Sequence, residues 1–91
     1  MRFPLAYDAT TTREDFLRLL TLATGEPEFR EIDGRLCGKG WSVRLTCMPA
    51  LEIGRVRLER HRVEIEFDGM TEEKQDRFMR RFALYYQRGG G

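Results

Sequence analysis

Apolar side chains recur at helical spacing near both ends of this 91-residue chain and at every second position between them. Phe16, Leu19, Leu20 and Ala23 fall on one face at about 100° per residue, which predicts an amphipathic helix running to about Thr24. Thr11-Thr12-Arg13-Glu14-Asp15 opens it: Thr11 with Glu14, or Thr12 with Asp15, has the spacing of a capping box. Gly25 supplies the left-handed residue that ends such a helix. The second helical pattern starts at Thr71, which suits an N-cap followed by the acidic Glu72 and Glu73, and runs to about Gln87. Phe78, Phe82 and Tyr85 form its apolar line, with Met79 and Tyr86 beside it.

Between the helices the period drops to two. Glu28 to Ile32 and Arg35 to Cys37 flank Asp33-Gly34, a strong two-residue hairpin signal. Gly38-Lys39-Gly40 reads as a kink and lacks the spacing of a phosphate-cradling loop. Trp41, Val43, Leu45 and Cys47 alternate with Ser42, Arg44 and Thr46 as a half-buried strand, and Met48-Pro49-Ala50 reads as the next turn. From Leu51 to Phe67, a hairpin centred on Arg60-His61, its turn better made as a four-residue loop over 59–62 in the same register, sets Leu58 opposite Val63 and Val56 opposite Ile65 on the core side. It also sets Glu59, Arg57 and Arg55 opposite Arg62, Glu64 and Glu66, pairing every outward charge with its opposite. Gly54 then marks a bulge where the apolar phase shifts. Phe3, Leu5 and Tyr7 alternate too, but Pro4 limits that segment to an edge strand or an extended arm.

The expected fold is therefore α+β, in the order α-β-β-β-β-α. It is a two-layer sandwich with a four-stranded antiparallel sheet, a short N-terminal edge segment, and both helices on one face. Residues 1–88 form a single domain and 89–91 a flexible Gly tail. This layout is similar to that of double-stranded-RNA-binding domains and the small Alu proteins of the signal recognition particle. The lysine-rich helix start of the former is absent: Thr71-Glu72-Glu73-Lys74 begins acidic.

Composition narrows the chemistry. A charged fraction of 34% with a net charge of +1 leaves no global field to draw the protein to nucleic acid or anionic lipid. The N-terminal residues lack a signal core and no apolar run approaches a membrane span, so the expectation is a cytoplasmic protein with no membrane partner. Cys37 and Cys47 then read as reduced, buried thiols. With no CxxC and one histidine, His61, placed at a hairpin tip, neither a metal site nor a catalytic triad is expected. Most carboxylates have an arginine set to pair with them on a solvated surface, so no acid–base pair and no cofactor site stands out.

Two surface features remain. Lys74, Arg77, Arg81 and Arg88 lie within about 60° of one another on the second helix, a basic flank able to contact phosphates. Leu17 and Leu22 widen the apolar arc of the first helix beyond what one sheet needs, and Leu84 projects opposite Phe82. The reading that follows is a small, non-catalytic protein-binding or assembly module whose partner is another protein or a second copy. The alternative, less favoured, is a nucleic-acid-binding domain using the basic flank.

Overall fold

A computed structural model describes residues 4–86. The chain runs β1 (Ala6–Thr10), α1 (Arg13–Thr24), β2 (Arg30–Ile32), β3 (Arg35–Cys37), β4 (Trp41–Ile53), β5 (Val56–Phe67) and α2 (Glu72–Tyr86). The strands form one antiparallel sheet in the order β1-β5-β4-β3-β2. The class is the α+β arrangement that the pattern predicts, with five strands instead of four. The extra strand is β1, which begins after Pro4 and Leu5 and pairs with β5 at the sheet's edge. Phe3 lies outside the described residues, as does the triglycine tail.

Local chemistry sets most of the element ends. The Thr12 hydroxyl accepts the Asp15 N–H at 3.1 Å, and Gly25 closes α1 at φ 76° with its N–H on Thr21 O. Thr71 caps α2 in the same way, accepting the Lys74 N–H at 3.2 Å. Between β2 and β3, Asp33 (φ 50°) and Gly34 (φ 78°) are both left-handed, as a type I′ turn requires.

The hairpin register departs from expectation. β5 turns back on β4 at Gly54-Arg55, with Ile53 opposite Val56, Glu52 opposite Arg57 and Leu51 opposite Leu58. Gly54 has φ 58° at the first turn position, where a type II′ turn wants glycine. Residues 55–58 therefore do not pair with 63–66, and Arg60-His61 is no turn: both lie inside β5. The bulge sits at Pro49-Ala50, two residues set against Glu59, between the pairs Met48–Arg60 and Leu51–Leu58. Met48-Pro49-Ala50 is thus an interruption within one long strand, and proline is tolerated there because a bulged residue need not donate to the ladder.

The inner face of the sheet carries Leu36, Trp41, Val43, Val63 and Ile65. Phe16, Leu20 and Ala23 of α1 and Met79 and Phe82 of α2 pack on it in a single core, so both helices lie on this side. Leu45, Phe67 and Phe78 border the core, while Leu19 is only half-buried. Phe78 stands edge-on to Phe67 at 5.3 Å and leads through Phe82 to Tyr86, whose ring stacks on Phe16 at 4.4 Å. The Tyr86 hydroxyl donates to Phe16 O at 2.6 Å.

Phe82→Ala should cost about 3–5 kcal/mol, since Phe82 is fully buried among the rings of Phe16, Phe78 and Tyr86; thermal melting checks this. A second expectation concerns high pH. Desolvation by burial, and then the neighbouring Tyr7, push the Tyr86 phenol well above its ordinary 10.0. The unfolded chain therefore ionises first, and stability falls as pH rises above about 10. Tyr86→Phe should flatten that alkaline decline in a melting series while lowering stability at neutral pH by about 1 kcal/mol through the lost hydrogen bond.

Candidate functional site

Beyond the bulge, β4 and β5 leave the body of the sheet as a two-stranded arm. β3 pairs with β4 only as far as Arg44, and β1 pairs with β5 only from Arg60 onward. One extra residue in β4 turns its odd-numbered side chains from the inner face to the outer one. Leu51 and Ile53 therefore join Val56 and Leu58 on a single face of the arm. Leu51 is 39% exposed, Val56 54% and Ile53 61%. The reverse side carries Glu52 and Arg57, paired at 3.1 Å. Sequence reasoning placed Val56 and Leu58 in the core; Val63 and Ile65 are there, but Val56 is exposed and Leu58 half-buried.

The rest of the outer sheet face is mostly polar, with Ile32 of β2, 51% exposed, the large apolar exception. Arg30, Arg35, Arg44, Arg60 and Arg62 share it with Asp8, Glu64 and Glu66, as the pairing register dictates. Most of these charges are matched within the sheet. Arg62 and Arg60 both reach Asp8, at 3.3 and 3.7 Å, and Arg35 pairs with Glu66 at 2.8 Å. The Arg35 guanidinium, by hydrogen bond and by charge, holds the Glu66 carboxyl below the usual carboxylate range. Beside this pair lies an open concavity of about 560 Å³, lined by Cys37, Trp41, Ser42 and Asp68 among others. Arg35 also donates to Ser42 Oγ at 3.2 Å, so the polar groups here already bind one another.

The single histidine is not at a tip. His61 is 6% exposed in the middle of β5, and its Nδ1 lies 2.8 Å from Thr11 O. A carbonyl can only accept, so Nδ1 carries the proton, and the ring pins the link between β1 and α1. The cysteines also depart from expectation. Cys37 faces outward and is half-buried, because its neighbour Leu36 takes the core phase; Cys47 has that phase but lies beyond the helices and is exposed. Among the described residues no group of His, Cys, Asp and Glu gathers as a metal site.

The basic flank of α2 is divided. Arg77 binds Glu73 at 3.1 Å. Arg81 leaves the row: its Nε donates to Leu22 O at 2.8 Å, and its guanidinium lies against Gly25. It thus supplies the positive charge that the last turn of α1 lacks. Lys74 is exposed, and Arg88 lies outside the described residues. Of the candidate self-association residues, Leu17 packs against the core, whereas Leu22 and Leu84 are 50% and 65% exposed.

No protein-family model matches this chain, and no curated protein matches it in sequence. Among the described residues no helix is long and apolar enough to cross a membrane.

The two arginines should separate by mutation. Arg81→Glu sets a carboxylate on the C-terminal carbonyls of α1 and should cost about 1–2 kcal/mol. Arg77→Glu, on a solvated surface, should stay within about 0.5 kcal/mol. Denaturant midpoints of the two variants give the comparison.

Proposed function

We propose that this domain is a non-catalytic protein-binding module that docks through the β4–β5 arm. The observation that carries the reading is the apolar face of Leu51, Ile53, Val56 and Leu58 on a hairpin outside the core. A two-stranded hairpin is marginally stable in water by itself, and a grouped apolar face is a feature that monomers seldom expose without use. A covering partner would remove that face from water and hold the arm. The charge balance fits this reading better than the nucleic-acid alternative, because the arginines of the sheet and of α2 are largely matched in place. Two free thiols, one of them exposed, fit a reducing compartment such as the cytoplasm.

A photo-crosslinking residue at Val56, compared with one at Arg80 on α2, tests the proposal in the source cell. A discrete protein adduct is expected from Val56 and not from Arg80, and it should disappear when Ile53→Lys is added. Because Ile53 is 61% exposed, that change should leave the melting temperature nearly unmoved. Absence of an adduct at Val56, or an adduct that survives Ile53→Lys, overturns the reading.

A further inference from the structure

We infer that the occupant of the arm is a second copy of this chain, joined through the free edge of β5 at residues 56–59. This deepens the docking role proposed above and rests on it.

The backbone argues first. Ile65 N–H donates to Leu5 O on the β1 side of β5. Alternation along an antiparallel strand then aims the N–H and C=O of Arg57 and Glu59 to that same side. There β1 has ended, its last pair being Thr10 with Arg60. The opposite edge of the arm, on β4, is a poorer template, because Pro49 lacks an N–H and its bulge twists the strand.

Register argues next. Two β5 edges related by a two-fold axis through Arg57 set each copy's Arg55 opposite the other's Glu59, and each Val56 opposite the other's Leu58. The hydrogen-bonding residues meet each other, and the overlap stops at Glu59, short of the stretch β1 occupies. A shift that brings Arg60 into the pairing collides with Thr10.

Side chains agree with that register. Among the described residues no ion pair engages Arg55 or Glu59, so each copy offers one unmatched charge of each sign. A two-fold interface has to complement itself, and this arrangement matches both charges twice. Arg57 meets its own copy, but each Arg57 is already neutralised by Glu52 at 3.1 Å. On the other face Val56 and Leu58 of each copy pack beside Leu58 and Val56 of the other, which takes part of the exposed apolar area of the arm out of water. The net charge of +1 adds almost no repulsion between copies.

Four strand residues a side make a small interface, of the weak, transient class. The test therefore uses the full chain at high concentration, about 1 mM, in sedimentation equilibrium. The mass should move from 10.7 kDa toward twice that value. Arg57→Pro removes the central donor without breaking a bond to β4, and should stay monomeric with its melting temperature preserved. Register is read with Arg57→Cys in a chain whose Cys37 and Cys47 are replaced by serine. Hydrogen-bonded partners sit about 5.5 Å apart at Cα, within disulfide reach. That variant should oxidise to a covalent dimer at least about tenfold faster than Arg80→Cys in the same background. Wild type remaining monomeric, or equal oxidation rates, overturns self-pairing. If the Val56 crosslinker then still traps a different protein, the docking role stands and only its occupant was wrong. If it traps nothing, both fall.

Discussion

Next to the pair Met48–Arg60, the ladder between β4 and β5 takes in one residue too many, and what the molecule presents to its surroundings depends on that bulge. Side chains in a strand alternate strictly, so an extra residue inverts every position that follows it. Trp41, Val43 and Leu45 point at the helices; Leu51 and Ile53 point the opposite way. Without the bulge, Leu51 and Ile53 would lie on the reverse side of the arm from Val56 and Leu58. The same two strands therefore supply both the centre of the core and the apolar face outside it.

The helical layer shows the opposite economy. Three backbone carbonyls along the first helix and its approach are met by side chains from distant elements: His61 reaches Thr11 O, Tyr86 reaches Phe16 O, and Arg81 reaches Leu22 O. Buried or half-buried polar groups carry a desolvation cost unless they are bound, and here each binding group also fixes the placement of a whole element. Arg81 stands apart from the other flank arginines for this reason. It completes α1 electrostatically, which removes it from any surface role that its helical spacing suggests. Leu17 is likewise taken up by the core, so the wide apolar arc of α1 is covered largely from within the chain.

The caps, the turn at Asp33-Gly34 and the two helical faces were legible because each is written in a few adjacent residues. Thr12, Gly25 and Thr71 act where their chemistry predicts. The long hairpin was not legible, and the reason lies in its composition. Arg55, Arg57, Glu59, Arg62, Glu64 and Glu66 include enough alternating charge to satisfy more than one register. A turn at Arg60-His61 pairs these charges among themselves. In the fold, Glu52 finds Arg57, Glu66 finds Arg35, and Arg62 finds Asp8, an equally sound set that draws on distant strands. Exposed pairs of this kind are each too weak to arbitrate. What decides is the turn glycine at Gly54 together with a proline that has to sit at a bulge. Both residues are visible in the sequence, but their assignment depends on pairing across the sheet. The error carried His61 with it, from a solvated tip to the inside of the sheet, and took Val56 and Leu58 into a core they do not enter.

The edges of the sheet give the arm its last distinguishing property. An unpaired strand edge invites pairing with another chain, and folded domains blunt such edges with charge, proline, bulges or brevity. β2 has three residues, and Arg13 of α1 reaches across to its Glu31 at 2.6 Å. β1 is short and carries Asp8, already held by Arg60 and Arg62. The outer side of β4 is broken by Pro49 and its bulge. At Val56–Glu59 neither proline nor a bulge intervenes: the strand is regular, and its charges, Arg57 and Glu59, are opposite in sign beside two apolar side chains. Regular geometry, balanced charge and exposed apolar area thus coincide on the described edge of the arm that has neither proline nor bulge, where another strand can add at the least cost in strain.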